Sequence, residues 1–332
     1  MTRYSLLDLA PVTDAQTPAE ALEATIALAR SAEEHGYARF WLAEHHNMPG
    51  IASAATAVVI GAVAQATNSI RVGAGGIMLP NHPPLVVAEQ FGTLNALHPG
   101  RIELGLGRAP GTDQLTMRAL RRYGQSADRF PDDVVELIGY LDDAAGEAPV
   151  TAIPAPGLPV WILGSSLFGA QLAAYLGLPY AFASHFAPAM LGDAIATYRA
   201  GFRPSKRLAE PHVMMAAGAV VADTDAEAEY LRSSQMLAFA RLRTGKPGRL
   251  PAPVRDIASE VPPQVLAGAA EALSVSAVGA PATVRRQLAD LLDAYRPDEI
   301  MLTGMIHDPE ARRRSFALAA EAMDDVSRAR AA

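Results

Sequence analysis

The chain has 332 residues, 50% of them hydrophobic and 19% charged, ample for a large core and beyond the usual span of one small domain. Its net charge of -7 is modest and its lysines and arginines are scattered, which argues against nucleic acid as a partner. Without a cysteine there are neither disulfides nor thiolate metal sites, and MTRYSLLDLAPV is no signal peptide, so we expect a cytoplasmic protein with no membrane partner.

Short apolar, β-branched runs recur along the chain with helical patterns between them. SLLDLAPV from Ser5 is the first. A helix follows that Thr17, Pro18 and Glu20 open as a capping box with proline at its first position, and that Gly36 ends. RFWLAEHH from Arg39, SIRVGAGGIML from Ser69 and RIELGLG from Arg101 come next. The stretch from Pro110 to Pro159 exceeds a single strand and helix. PVWILGSS from Pro159, PYAFASHF from Pro179 and HVMMAAGAVVA from His212 follow, and Thr224 with Glu227 repeats the capping device. The region 241–280, with TGKPGRLPAP and VPPQ, is expected to run as an excursion over a barrel mouth. DEIMLTGMI from Asp298 is the eighth run, and Pro309 opens the last helix. Eight strand and helix units predict an α/β protein folded as a (β/α)8 TIM barrel, with residues 1–332 as one domain.

The stretch RIELGLGRAPG, residues 101–111, imitates a dinucleotide fingerprint and fails as one. The third glycine should stand three places after the second, where the chain has Pro110, and Arg108 crowds the turn. In a barrel the reactive groups sit at the carboxyl ends of the strands. That rule puts Glu44, His45 and His46, the glycines of GAGG with His82, Arg108, Gly164 with Ser165 and Ser166, and His185 at one mouth.

Gly164, Ser165 and Ser166 stand between a strand and a helix, where free backbone N–H groups at the positive end of the helix dipole form an anion site. The alternative is a plain N-cap made by either serine. Arg108, on the neighbouring strand, reaches the same anion, unless it is tied up in a salt bridge to Asp113. Three glycines in GAGG suit a flat ligand lying on bare backbone, or else tight packing or a bulge. Adjacent His45 and His46 point to opposite faces of a strand and make poor metal co-ligands, so no metal is expected. Only one of them faces the mouth, as an acid, base or hydrogen-bonding group or as a structural histidine.

AEHHNMPG (43–50), RVGAGGIMLPNHPPLVVAEQFGTLNALHPGRIELGLGRAPGTD (71–113), ILGSSLFGAQLAAYLGLPYAFASHF (162–186) and EIMLTGMIHDPEARRRSF (299–316) together resemble the signature blocks of the luciferase-like, flavin-dependent monooxygenases. The resemblance implies a barrel, usually dimeric, that takes reduced FMN (FMNH2) from a separate flavin reductase. The reduced flavin reacts with O2 to a C4a-peroxide that oxygenates a small organic substrate. It makes His45 the mouth histidine near the flavin, and puts Gly75 and Gly76 at a non-proline cis peptide under the isoalloxazine ring. Arg108 becomes the phosphate-binding arginine, and Gly164, Ser165 and Ser166 the phosphate loop. Gly107 replaces luciferase's reactive cysteine, Ser165 a glutamate and Gly169 a threonine, so light emission is not expected and the phosphate contacts are redistributed. A flavin-binding protein without turnover, or a deazaflavin-dependent oxidoreductase on the same fold, are the competing readings.

Overall fold

A computed structural model describes residues 2–109, 113–122, 127–143 and 149–331. Pro110 and Gly111, which close the GLGRAPG turn, lie outside the described residues.

All eight expected runs become strands of one closed parallel ring. They are β1 (Arg3–Asp8), β2 (Arg39–Leu42), β3 (Arg71–Met78), β4 (Ile102–Gly107), β5 (Val160–Gly164), β6 (Tyr180–Phe182), β7 (Val213–Val221) and β9 (Glu299–Thr303). Each pairs with its neighbour in the order just given, β6 with β7, β7 with β9 and β9 with β1, so the ring has no open edge. Helices separate the strands: α1 (Pro18–Glu34), α2 (Thr56–Ala66), α3 (Pro84–Leu97), α4 (Gln114–Ala119), α5 (Phe130–Asp142), α6 (Leu167–Leu176), α7 (Leu191–Gly201), α8 (Asp225–Arg243), α9 (Pro263–Ala272), α10 (Pro281–Tyr295) and α11 (Pro309–Ala331).

The region 241–280 does reach the mouth, but it is more than an excursion. It carries α9 and a short strand, β8 (Ser276–Gly279), which pairs with the far end of β7 from Gly218 to Val221. β7 therefore serves two partners in turn: Met214–Gly218 pairs with β9, and its last residues with β8. Leu250 donates its N–H to Val12 and pairs with Thr13, tying this region to the loop after β1.

Local chemistry explains where the helices start. The Thr17 hydroxyl accepts the Glu20 N–H at 3.3 Å while the Glu20 carboxylate accepts the Thr17 N–H at 2.7 Å, and Gly36 takes φ +75° just past the end of α1. Thr224 makes only the first of these two bonds, to Glu227 N–H at 3.1 Å. Asp308 caps α11 by accepting the Ala311 N–H at 2.7 Å.

Alternate strand residues fill the barrel. Leu7, Trp41, Trp161, Met214 and Met301 pack inside it, the two indoles edge to face at 5.3 Å. The other faces of the strands pack against the helices in a larger apolar layer. At the amino end of the strands the interior turns ionic. Arg39, 4% exposed, donates Nε to Glu103 at 2.7 Å and Nη1 to Glu299, and Glu103 also accepts from Trp41 Nε1 and Arg71 Nη1, each at 3.1 Å. Charges taken this far from water persist only because each is paired and hydrogen-bonded. Removing one partner strands the other. We therefore predict that Glu103→Ala lowers unfolding stability by about 3–5 kcal/mol in urea titrations; a loss below about 1 kcal/mol, the range of surface pairs, would contradict the plug.

Candidate active site at the barrel mouth

A cavity of about 760 Å³ opens at the carboxyl ends of the strands. Of the residues that the sequence puts at one mouth, Glu44, His45, Gly75, Gly76, Arg108, Gly164, Ser165, Ser166 and His185 border it, whereas Gly73, His46 and His82 do not. Arg108 is exposed, and its guanidinium lies 4.3 Å from the centre of the Phe168 ring. Phe168 is the second residue of α6, so the arginine of the β4 loop reaches the start of the helix after β5. A cation over an aromatic face is held in place without being neutralised. The expected rival, Asp113, is occupied elsewhere: it accepts from Asn47 Nδ2 at 2.8 Å and caps α4 through the Thr116 N–H at 2.9 Å. Among the described residues no carboxylate pairs with Arg108.

Ser165 and Ser166 are both exposed. Ser166 occupies the N-cap position of α6 with extended backbone, yet its hydroxyl makes no capping bond. The amides of the first turn are thus left without a side-chain partner, at the end of the helix that favours anions. The plain N-cap alternative is not what the serines do here.

The glycines of GAGG have a packing role beside the one their spacing suggests. The Gly75–Gly76 peptide is cis, and the β3–β4 register shifts between Ala74 and Ile77, so the bulge alternative holds. Neighbouring atoms exclude side chains at all three glycines. A Cβ at Gly73 would stand 2.6 Å from the Glu103 carbonyl oxygen, at Gly75 2.8 Å from Leu7 Cδ1, and at Gly76 2.8 Å from the Gly105 carbonyl oxygen. Gly73 does not border the cavity; Gly75 and Gly76 do, as bare backbone in its wall.

The loop after β2 sorts the histidines. Glu44 and His46 meet there, two residues apart, and His82 joins them from the loop after β3. Glu44 Oε1 accepts from His46 Nε2 at 2.5 Å and from His82 Nε2 at 2.6 Å, while its Oε2 accepts the Met78 N–H at 3.0 Å. Burial alone would raise the Glu44 carboxyl, but the hydrogen bonds from the two histidines outweigh it and hold the group at about 2. A carboxylate so ionised only accepts, so both histidines present Nε2–H to it. These three side chains offer ligand atoms within 4.8 Å of one another, and in this arrangement they satisfy one another. The i, i+2 spacing of Glu44 and His46 is a signal for their pairing, whereas His82, 38 residues away, meets Glu44 only through the fold.

His45 borders the cavity. Burial lowers its pKa, partly offset by the charge of Glu44, with His46 lowering it further. His185, three residues past β6, borders the same cavity, and burial together with His45 pushes it down to about 4. Both imidazoles are neutral at pH 7.

With this geometry in place, comparison identifies the class. The family model for luciferase-like monooxygenases matches residues 2–296, and the chain belongs to that family of monooxygenase enzymes. A protein of Escherichia coli (strain K12) named luciferase-like monooxygenase is 51% identical over 326 residues, covering 97% of each chain. The crystal structure of apo-MsnO8 superposes with a TM-score of 0.89 at 38% identity, over 98% of this chain and 99% of that one. Two more distant structures share the fold alone. The oxygenating constituent of a Pseudomonas putida 3,6-diketocamphane monooxygenase in complex with FMN is 17% identical, with a TM-score of 0.69 over 96% of this chain and 97% of its own. An F420-dependent secondary alcohol dehydrogenase is 18% identical, with a TM-score of 0.69 over 97% and 98%.

The clamped carboxylate has a consequence for stability. Because Glu44 binds its proton less readily in the folded chain than at its ordinary value of 4.5, its contribution is complete above that value and is lost as pH falls toward about 2. We predict that Glu44→Gln lowers the melting temperature at pH 6, and that its deficit relative to the parent shrinks as the pH is lowered from 4.5 to 3. A deficit constant over that window would show that Glu44 contributes no ionised-state stability.

Proposed function

We propose that the chain is a two-component monooxygenase that receives FMN in its reduced form from a separate flavin reductase and uses O2 to oxygenate a small organic substrate. The observation that carries this reading is the unneutralised Arg108 guanidinium lying on the first turn of an uncapped helix. One cation beside free amides at the positive end of a helix is complementary to the phosphate of FMN. Reduced FMN bound there would supply the electrons and the activated oxygen of the reaction.

The chain's own groups divide the remaining work. Arg108, Gly164, Ser165 and Ser166 grip the phosphate. The Gly75–Gly76 backbone offers a wall without side chains, against which a flat ring system fits. His45, neutral and at the cavity wall, holds or moves a proton beside the reacting end of the site. Phe239, Leu242, Leu250 and Leu273, from α8 and the region after it, cover the cavity with apolar surface that keeps water away from it. No helix among the described residues is long and apolar enough to cross a membrane, and the same reading makes the enzyme a cytoplasmic homodimer.

Binding measurements test the assignment. Trp41 borders the cavity, so its fluorescence reports occupancy. FMN and reduced FMN are expected to quench it more effectively than the F420 coenzyme. Arg108→Ala should weaken FMN binding by about ten- to a hundredfold, the value of a charge-assisted contact, and leave riboflavin, which has no phosphate, unchanged. Equal losses for the two flavins would remove the phosphate seat, and tighter binding of F420 than of FMN would replace the cofactor.

A further inference from the structure

His45 and His185 stand at the same height on opposite walls. β2 and β6 are four places apart in the ring of eight, and each histidine is the third residue beyond its strand, after Leu42 and Phe182. Both border the mouth cavity. Both have a buried Nδ1 without a hydrogen-bond partner, where most enclosed histidines have that nitrogen fixed by a carbonyl or carboxylate. An imidazole unanchored at Nδ1 is free to take either tautomer, so its other edge can donate or accept as a ligand requires.

The surroundings limit what such a ligand is. Phe182, Phe186, Met214, Phe239 and Met305 line the same cavity, Phe186 edge to face with His185 at 4.8 Å, and Phe186 and Leu242 remain exposed as an apolar rim. Apart from histidines, Glu44 and Arg108 are the ionisable side chains bordering the cavity among the described residues. Glu44 is consumed by His46 and His82, and Arg108 lies at the phosphate seat on α6. A second ionic group on a ligand would find no partner here, and its desolvation would go uncompensated. A neutral oxygen would find two imidazoles.

We infer that His185 is a second ligand-binding histidine, facing His45 across the mouth, and that the pair holds one neutral carbonyl or hydroxyl oxygen of an otherwise apolar substrate. This deepens the monooxygenase reading and rests on the mouth cavity being the active site. The neutrality of both rings supports it, since neither then attracts a carboxylate. The sequence offers His185 only as one more polar residue after a strand; its pairing with His45 is created by closure of the barrel.

The test is calorimetric titration of the chain, with and without FMN, using 2-octanone and octanoate as probes of equal length. The parent chain is expected to bind 2-octanone saturably and octanoate at least about tenfold more weakly, the loss caused by one unpaired buried group. His185→Phe should weaken 2-octanone by about tenfold, while His185→Gln, which still offers a hydrogen bond, retains most of the affinity. FMN affinity should be unchanged in both variants. No saturable 2-octanone binding, octanoate bound as tightly as the ketone, or parent-like affinity in His185→Phe would each overturn the inference; should the phenylalanine variant not fold, the ketone-over-octanoate preference of the parent and glutamine chains decides it. If FMN fails to bind while the ketone pattern holds, the cofactor assignment falls and the histidine pair stands.

Discussion

A guanidinium held over a phenyl ring, with no acid paired to it among the described residues, is the feature on which the account of this molecule turns. Such a charge at a surface is ordinary; at the lip of a cavity and against the positive end of a helix it is not, because cation and helix repel each other until an anion sits between them. Two neighbouring strands bring the groups together. β4 delivers Arg108 and β5 delivers α6, and their hydrogen-bonded register from Leu104 with Val160 to Gly107 with Leu163 fixes the distance between the two loops. Phe168 then removes the freedom that a long side chain would have to lose on binding.

The rest of the barrel reads as support for that arrangement. Its amino end is lined by the paired charges of Arg39, Glu103 and Glu299 beside a cavity of about 480 Å³, its middle is filled by two tryptophans, and the larger cavity of about 760 Å³ opens at its carboxyl end. The paired charges thus lie at one end of the barrel axis and the guanidinium of Arg108 at the other. Glu44 marks the boundary: it belongs to the mouth, but its three hydrogen bonds clamp the β2 and β3 loops to each other and orient the backbone that bears His45.

The architecture was legible in the sequence because barrel strands are buried on both faces, so each appears as a continuous apolar run such as VMMAAGAVV. β8 leaves little signal because its four residues, Ser276 to Gly279, hold a single β-branched apolar side chain, Val278, and only half of β7 requires them. The site was legible in part. Arg108, the two serines and His45 lie within or beside motifs that carry family resemblance, and all border one cavity. What stayed hidden depends on distance across the fold: His82 meeting Glu44 from another loop, His185 reaching the cavity that His45 borders, and Asp113 turning to Asn47 instead of Arg108. The glycines carry a separate lesson. Their spacing suits a flat ligand, and contacts with Leu7, Glu103 and Gly105 independently crowd any side chain at those positions.

The most direct measurement of the central claim is the phosphorus resonance of FMN followed from pH 5 to 8, free and saturated with the chain. A monoester phosphate takes up its second proton near pH 6 in water. Seated between Arg108 and the amides of α6 it should remain dianionic, and its resonance should stay nearly constant over that range. A bound phosphate that titrates as the free one does would mean that it hangs in solvent, and that the barrel mouth grips the cofactor, if at all, by some other part.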